Sequence, residues 1–215
     1  MIVSMWMVRD VVTVRPEMPL NEVAALMAEK RIRRVLVTEP GQAGERLVGL
    51  VSAKDILHAF PSDVNPFAVI AARSGAAPGN AGQVMARDLQ TTTPDAPIEQ
   101  AAAVMAEKKV GALPVLRDGK LAGIITESDI FRAFVSIFPT LQGGARVTFD
   151  VSAGENIFDY ICGEAARRKL RVLSLTTSEQ DGLPVCVVRV TGAATERFLE
   201  DLWSSGHRVL NVIRF

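Results

Sequence analysis

An internal repeat constrains this chain more than any other feature of its sequence. Residues 7–38 align with residues 85–116 at a constant offset of 78, and 13 of the 32 aligned positions are identical. A second block, 47–60 against 121–134, aligns at an offset of 74 with 6 of 14 positions identical. The change of offset gives the first copy four extra residues, which we expect in a loop at 39–44. A duplication of this kind predicts one structural unit used twice.

Both copies predict the same order of secondary structure, β-α-β-β-α. The segments of the first copy are a β run at 11–14, a helix from residue 20, β segments at 35–37 and 47–51, and a closing helix at 54–57. In the second copy the hairpin turns at Asp118-Gly119, a strong two-residue turn signal. One such unit has too small a core to stand alone, so we expect the copies to pack through their sheets.

The last seventy residues predict a different order, βαββαβ, which is the ferredoxin-like pattern. The predicted segments are β at 147–151, helix at 155–169, β at 172–177 and 185–190, helix at 194–204, and β at 208–215. The second helix carries an apolar stripe that we expect to be buried, consisting of Phe198, Leu199, Leu202 and Trp203. Overall the chain therefore has an α/β (α+β) fold in two parts.

Composition and charge exclude several classes of function. The 24 basic residues balance 24 acidic ones, so the chain lacks the net positive field that nucleic acid or an anionic membrane surface requires. No uncharged apolar run approaches the roughly 18 residues that span a bilayer, and the N-terminus does not resemble a signal peptide. Cys162 and Cys186 have no histidine near them, which argues against zinc or a disulfide framework. We expect a cytoplasmic protein with reduced thiols, both interpreted as small core residues.

One motif recurs at equivalent positions of the two copies. It runs from Gly49 through Ser52 to Asp55, and again from Gly123 through Thr126 to Asp129. Each instance joins a strand to a helix, and Ser/Thr-x-x-Asp at such a junction is typical of a capping box. The same geometry also offers a hydroxyl and free helix-start N–H groups to a phosphate, and a carboxylate to two ribose hydroxyls. Both interpretations stay open at this point.

These residues resemble the CBS-domain pair, often called the Bateman module, over about residues 5–138. The resemblance rests on a Thr-x-x-Pro approach to the first helix, the strand Ala-Leu-Pro-Val at 112–115, and the Gly-h-h-Ser/Thr-x-x-Asp ending of both copies. It implies two cleft sites for an adenosyl ligand, either an adenine nucleotide (AMP, ADP or ATP) or S-adenosylmethionine, with no metal. Each site combines the Ser/Thr-x-x-Asp segment of one copy with the first strand and the pre-proline segment of the other.

The resemblance assigns residues to each site. One site takes Ile124, Thr126, Ser128 and Asp129 from the second copy, facing Val12, Ile32, Arg33 and Arg34 from the first. The other takes Leu50, Ser52, Lys54 and Asp55, facing Gln90, Val110, Gly111 and Ala112. The first site is expected to hold phosphate better through its two guanidinium groups, because Lys54 is the only cation expected near the second.

The C-terminal part resembles an ACT domain, with Gly154 at its first strand–helix junction. If that family's amino-acid site is kept, it is lined by Ser152, Ala153, Gly154, Glu155 and Asn156 at a subunit interface; the alternative is an oligomerisation domain without a ligand. The order CBS-CBS-ACT resembles acetoin-utilisation-type regulatory proteins. The domain boundaries predicted are 1–62 for the first CBS repeat, 63–83 for a linker with a short helix near 67–72, 84–140 for the second repeat, and 145–215 for the ACT-like domain.

These observations predict a regulatory sensor of adenosyl ligands that forms a homodimer and has no catalytic activity. Neither His58 nor His207 has a Cys, Asp or Glu at ligand spacing, and no phosphate-binding or dinucleotide fingerprint is present. The alternative is an oligomerisation or interaction scaffold that binds no ligand. An enzyme is the least favoured class.

Overall fold

The computed structural model of the chain describes residues 1–41, 44–59, 79–137, 143–154 and 157–215. The chain divides into two compact units, Met1–Ala133 and Phe134–Phe215. The helix expected near 67–72 lies outside the described residues. The end of the expected linker contains a helix that the sequence did not predict, α3 at Ala81–Val84, which begins with an Asn80–Gln83 capping box.

The first repeat has the predicted β-α-β-β-α order. Its elements are β1 (Thr13–Val14), α1 (Leu20–Lys30), β2 (Arg34–Gly41), β3 (Gly44–Ser52) and α2 (Ala53–Ala59). Strand β1 pairs in parallel with β2, and β2 pairs antiparallel with β3. Helix α1 buries Leu20, Val23 and Met27, one face at helical spacing, and ends at Arg31 in the left-handed region.

The four extra residues of the first repeat lengthen the β2–β3 hairpin instead of forming a loop. Glu39 pairs with Arg46, Pro40 with Glu45, and Gly41 with Gly44. The expected loop at 39–44 is therefore wrong in its extent, because the strand pairing continues almost to the tip. The tip itself, residues 42–43, lies outside the described residues.

The second repeat follows the same plan. Its elements are α4 (Ile98–Lys108), β4 (Ala112–Arg117), β5 (Lys120–Thr126) and α5 (Glu127–Ile137), and its first strand is reduced to a parallel bridge between Thr92 and Val115. The predicted hairpin turn is confirmed, with Asp118 and Gly119 at φ of 51° and 75°. Both central residues of a type I′ turn take such positive φ values.

The segment that precedes each repeat forms backbone hydrogen bonds with a strand of the other repeat. Val8, ahead of the first repeat, forms two backbone hydrogen bonds of 2.9 Å with Ile124 on β5. Ala86, ahead of the second repeat, forms the equivalent pair with Leu50 on β3, at 2.9 and 3.0 Å. A buried cluster of Leu36, Ala112 and Ile124 joins residues of both sheets, as expected for copies that pack through their sheets.

The C-terminal unit has the predicted βαββαβ order. Its elements are β6 (Ala145–Asp150), α6 (Ile157–Arg168), β7 (Arg171–Gln180), β8 (Leu183–Thr191), α7 (Thr195–Ser204) and β9 (Val209–Arg214). The strands form one antiparallel sheet in the order β7-β8-β6-β9. Phe198, Leu199 and Leu202 of α7 enter the core with Phe149 and Ile161, among other apolar residues. The expectation for Trp203 is wrong, because its side chain is 64% exposed.

Candidate functional site

The recurring motif forms the same hydrogen-bonded junction in both repeats. The Asp55 carboxylate accepts hydrogen bonds from the backbone N–H and the hydroxyl of Ser52, each at 2.7 Å. The Asp129 carboxylate accepts the equivalent pair from Thr126, at 2.8 and 2.7 Å. Ser52 Oγ also accepts from the Asp55 N–H at 3.3 Å, which completes a capping box at the start of α2.

The two carboxylates differ in their surroundings. Asp129 is 3% exposed and Asp55 is half-buried. The second oxygen of Asp129, Oδ1, accepts from the Arg132 guanidinium, one turn further along α5. Because the Arg132 side chain is 66% exposed, this contact is with a solvated group.

The eight residues assigned to the first site line one cavity, which we call the first cleft. Its volume is about 490 Å3, within the usual range for a small-molecule site. Strand β5 and helix α5 contribute Ile124, Thr126, Ser128 and Asp129, and the first repeat contributes Val12, Ile32, Arg33 and Arg34. The structure therefore places a buried carboxylate and guanidinium groups from two repeats in one cleft.

The eight residues assigned to the second site line another cavity, the second cleft, of about 440 Å3. Strand β3 and helix α2 contribute Leu50, Ser52, Lys54 and Asp55, and the second repeat contributes Gln90, Val110, Gly111 and Ala112. The expectation that Lys54 is the only nearby cation is wrong. Arg33, Arg34 and Lys109 also line this cleft. Arg33 and Arg34 line both clefts, because they lie between the two cavities.

Five charged residues line the clefts although the sequence analysis did not assign them. They are Asp10, Arg31 and Arg132 in the first cleft and Asp88 and Lys109 in the second. The repeat alignment could have indicated four of them, because a charge of the same sign occupies equivalent positions of both copies. Asp10 aligns with Asp88, and Arg31 aligns with Lys109. Arg31 and Lys109 each end a helix at φ 54°, and this tight turn directs the following residues into the cleft.

The thiols, and the one histidine whose ring contact is known, lie in different surroundings. Cys186 is buried, and that burial raises the pKa of its thiol, in keeping with a core residue. Cys162 is exposed, so its interpretation as a core residue is wrong. The His207 ring packs against Tyr160, with ring centroids 4.4 Å apart. Among the described residues, no group of three or more His, Cys, Asp or Glu side chains could hold a metal ion.

In the part of the chain that the structure describes, every helix is too short or too polar to cross a bilayer.

Comparison with known proteins identifies the duplicated region. The family model described as CBS domain matches residues 3–62 and 81–136. CBSX2, solved in complex with AMP, is 26% identical with a TM-score of 0.52, and the alignment covers 64% of this chain and 98% of CBSX2. An acetoin utilization protein from Vibrio cholerae is 27% identical with a TM-score of 0.50, over 64% of this chain and 92% of that protein.

A curated relative that matches part of this chain is a longer protein. Homoserine O-acetyltransferase of Methanohalobium evestigatum is 33% identical over 131 residues, 60% of this chain and 23% of the relative. The chain thus spans about a quarter of the length of that relative.

Proposed function

This chain belongs to the CBS domain family, and we propose that residues 1–137 form a regulatory module that binds an adenosyl ligand in its clefts. The observation that carries the proposal is the first cleft, where the Asp129 carboxylate and the Arg33–Arg34 pair come from different repeats and line one cavity. A ligand that bridges them also bridges the two repeats. Binding can therefore shift the packing of one repeat against the other, which is the basis of a sensor.

Asp129 is suited to accept hydrogen bonds from the two hydroxyls of a ribose. Its Oδ2 is engaged by Thr126, so it is held in a fixed position at the start of α5. Its Oδ1 contacts only one mostly exposed guanidinium among the hydrogen bonds described, that of Arg132. Ribose hydroxyls can take the place of Arg132 at Oδ1, because this guanidinium is mostly exposed and returns to solvent.

Arg33 and Arg34 are suited to hold the phosphate of a nucleotide. A guanidinium group can donate two parallel hydrogen bonds to phosphate oxygens, and such charge-assisted bonds are about twice as strong as neutral ones. AMP fits this combination of ribose and phosphate groups, and CBSX2 contains AMP. ADP, ATP and S-adenosylmethionine carry the same adenosyl group and are the competing ligands.

A second candidate function is an interaction scaffold with unused clefts. It is favoured by the hydrogen-bonded helix starts, because Ser52 and Thr126 satisfy one oxygen of each carboxylate without any ligand. The scaffold and the sensor differ in one measurable respect, which is binding of an adenosyl compound.

The role of the C-terminal unit stays a prediction in two forms. One is dimerisation, and the other is amino-acid binding at Ser152, Ala153 and Gly154 with the neighbouring Glu155 and Asn156. The last two residues lie outside the described part of the chain. Absence of catalysis and a cytoplasmic location likewise stay predictions.

The test is calorimetric titration of the protein with AMP, ADP, ATP and S-adenosylmethionine. We expect saturable binding of at least one compound, and at least about a tenfold loss of affinity at the first cleft in Asp129→Ala, because hydrogen bonds to a charged group contribute about 1.5–3 kcal/mol. Asp129→Ala also removes a hydrogen-bonding group from the start of a helix, so Asn80→Ala is the matched control. The Asn80 side chain caps α3 by accepting a hydrogen bond of 3.2 Å from the Gln83 N–H. Asn80 lines neither cleft. If none of the four compounds binds, the scaffold replaces the sensor.

A further inference from the structure

Arg33 and Arg34 line both clefts. The carbonyl of Arg33 accepts a hydrogen bond of 2.9 Å from the N–H of Ala53, the residue that begins α2 beside the second cleft. The Arg34 guanidinium lies 3.8 Å from the carboxylate of Glu127, the residue that begins α5 beside the first cleft. The pair is therefore attached to the helix start of both sites.

The Arg34 side chain also packs directly on the second cleft. A Cβ built on Gly111 would overlap the Arg34 Nη2 atom, so the guanidinium occupies the space that a side chain at Gly111 would fill. The Arg34 side chain is 23% exposed. A largely enclosed cation thus lies on the boundary between the clefts, with Glu127 on one side and Gly111 on the other.

The repeat alignment shows that these charged residues have no charged counterparts at the equivalent positions of the other copy. At an offset of 78, Arg33 and Arg34 align with Gly111 and Ala112, and at an offset of 74, Glu127 aligns with Ala53. The counterpart of the Arg34–Glu127 pair is therefore Ala112 with Ala53, which carries no charge. The first repeat supplies the shared cations to both clefts, and the second repeat supplies none at these positions.

We propose that the two clefts are negatively coupled through Arg33 and Arg34, so that a phosphate bound in one cleft weakens phosphate binding in the other. This inference rests on the proposed nucleotide binding. A guanidinium that donates two hydrogen bonds to one phosphate cannot donate the same two to a second. The first phosphate also brings a charge of about −1.5 to −2, which lowers the attraction of the shared cations for another anion.

The second phosphate still finds cations that line only its own cleft. These are Arg31 and Arg132 in the first cleft and Lys54 and Lys109 in the second. The coupling therefore reduces the affinity of the second phosphate without abolishing its binding. An adenosyl compound without a phosphate does not engage the shared cations and is not subject to the coupling.

The experiment isolates each cleft and compares the two with the intact protein. Val12→Trp fills the first cleft and Gln90→Trp fills the second; the two positions are repeat equivalents, and both are half-buried cleft residues. Calorimetry with AMP gives one binding constant for each variant and the overall constant for loading both clefts of the wild type. We expect the overall association constant of the wild type to be smaller than the product of the two single-cleft association constants by about fivefold or more. A factor of about five is the lower end of the coupling usually found between two sites.

Two comparisons assign the shortfall to the arginine pair. In Arg34→Ala, which installs the residue of the second repeat, the overall AMP constant is expected to approach the product of the single-cleft constants measured in the same background. If either tryptophan variant fails to fold, phenylalanine at the same position takes its place. Adenosine, which lacks the phosphate, is expected to show no shortfall in the wild type.

The outcomes separate this inference from the proposed function. The coupling is overturned if the overall AMP constant of the wild type equals or exceeds the product of the two single-cleft constants. Nucleotide binding itself is left intact by that result. A shortfall that persists unchanged in Arg34→Ala also overturns it. If AMP binds neither to the wild type nor to either single-cleft variant, the proposed nucleotide binding fails and the coupling fails with it.

Discussion

Gly123 has no room for a side chain in the strand that leads to the first cleft. A Cβ built on it would lie 2.7 Å from the carbonyl oxygen of Val8, a backbone atom that is fixed by the hydrogen bonds between Val8 and Ile124. Gly49 has the same role in the first repeat, where a Cβ would overlap the side chain of Met85. The glycine of the recurring motif therefore allows each repeat to receive the segment that precedes the other.

Gly123→Ala is expected to destabilise the N-terminal unit by about 1–3 kcal/mol, because overpacking forces backbone shifts. Urea unfolding followed by circular dichroism measures the change. The control is Gly79→Ala, where the nearest atom to a new Cβ is the Gln83 Oε1 at 3.8 Å, and the expected change is within about 0.5 kcal/mol. Equal effects of the two substitutions would contradict the close approach of Val8 to Gly123.

Asp150 is expected to make the free energy of unfolding of the C-terminal unit decrease as the pH becomes acidic. Hydrogen bonds from the side chain and backbone of Ser152, together with Arg208 at 2.8 Å, hold the pKa of this buried carboxyl below its ordinary value of 3.8. A carboxyl whose pKa is lower in the folded state stabilises that state above its ordinary pKa, and the contribution is lost as the pH falls through the folded value.

Asp150→Asn is therefore expected to lower the melting temperature by a few degrees at neutral pH and to have a shrinking effect below pH 3.8. Thermal unfolding at a series of pH values measures this. Asp181→Asn removes the same charge from an exposed turn where Asn also accepts a positive φ, and we expect little change at any pH. A difference between Asp150→Asn and wild type that stays constant down to the acid limit would refute the assignment.

The repeat marked the recurring motif, and the resemblance to the CBS-domain pair supplied the assignment of residues to the clefts. Asp55 and Asp129 share a motif and an aligned position, and the structure places each beside the residues assigned to face it. The sharing of Arg33 and Arg34 was not predictable, because it depends on where two cavities meet in space. Arg132 was not predictable either, since its aligned residue is His58 and no pattern marks it.

At the scale of elements, helices α6 and α7 of the C-terminal unit are joined by a charge network that runs from buried Glu164 to half-exposed Asp201. The Glu164 carboxylate on α6 is 9% exposed and accepts from Arg168 Nε at 2.7 Å, while Arg168 Nη2 reaches Asp201 on α7 at 2.5 Å. Arg167 also contacts Glu164, but its side chain is 66% exposed. Two arginines thus share one buried partner and differ in their own burial.

Arg168→Ala is expected to destabilise the C-terminal unit by about 2 kcal/mol or more, because it leaves a buried carboxylate poorly paired and removes the link to α7. Arg167→Ala is the matched control and is expected to cost less than about 1 kcal/mol, because the Arg167 side chain is exposed and Arg168 keeps Glu164 paired. Urea unfolding of both variants gives the comparison. The network has no structural role if Arg168→Ala costs no more than Arg167→Ala.

Element types and order followed from periodicity, whereas some element ends did not. The apolar spacing of α1 and α4 and the turn at Asp118-Gly119 have local causes, so the sequence predicts them. The β2–β3 hairpin is longer than predicted because its polar outer residues pair through the backbone, which leaves no apolar pattern. Trp203 is exposed because the core beneath α7 is already filled by Phe198, Leu199 and Leu202.

At the scale of the whole molecule, the chain is expected to form a homodimer. Phe131 on α5 is 72% exposed, and Phe134 and Val135 follow it at 56% and 58% on the same helix face. Exposed apolar residues clustered in this way commonly mark an interaction surface. Light scattering is expected to give a mass of twice 23.2 kDa for the wild type and a lower mass for Phe131→Ser. A monomeric wild type would contradict the prediction.

The duplication gives this molecule two similar clefts, and divergence between the copies makes them unequal. The helix starts with their hydroxyl and carboxylate are kept in both copies, whereas the arginine pair occurs only in the first. In the proposed function, the module combines two positions for a ribose with one arginine pair that both clefts share. We therefore expect the two clefts to bind an adenosyl ligand with different affinities.

The most direct test of this account is a crystal structure of the protein grown with AMP. We expect an adenosine in the first cleft with its ribose hydroxyls on Asp129 and its phosphate on Arg33 or Arg34. Clefts that stay empty at saturating AMP, or AMP bound away from Asp129 and the arginine pair, would contradict the account.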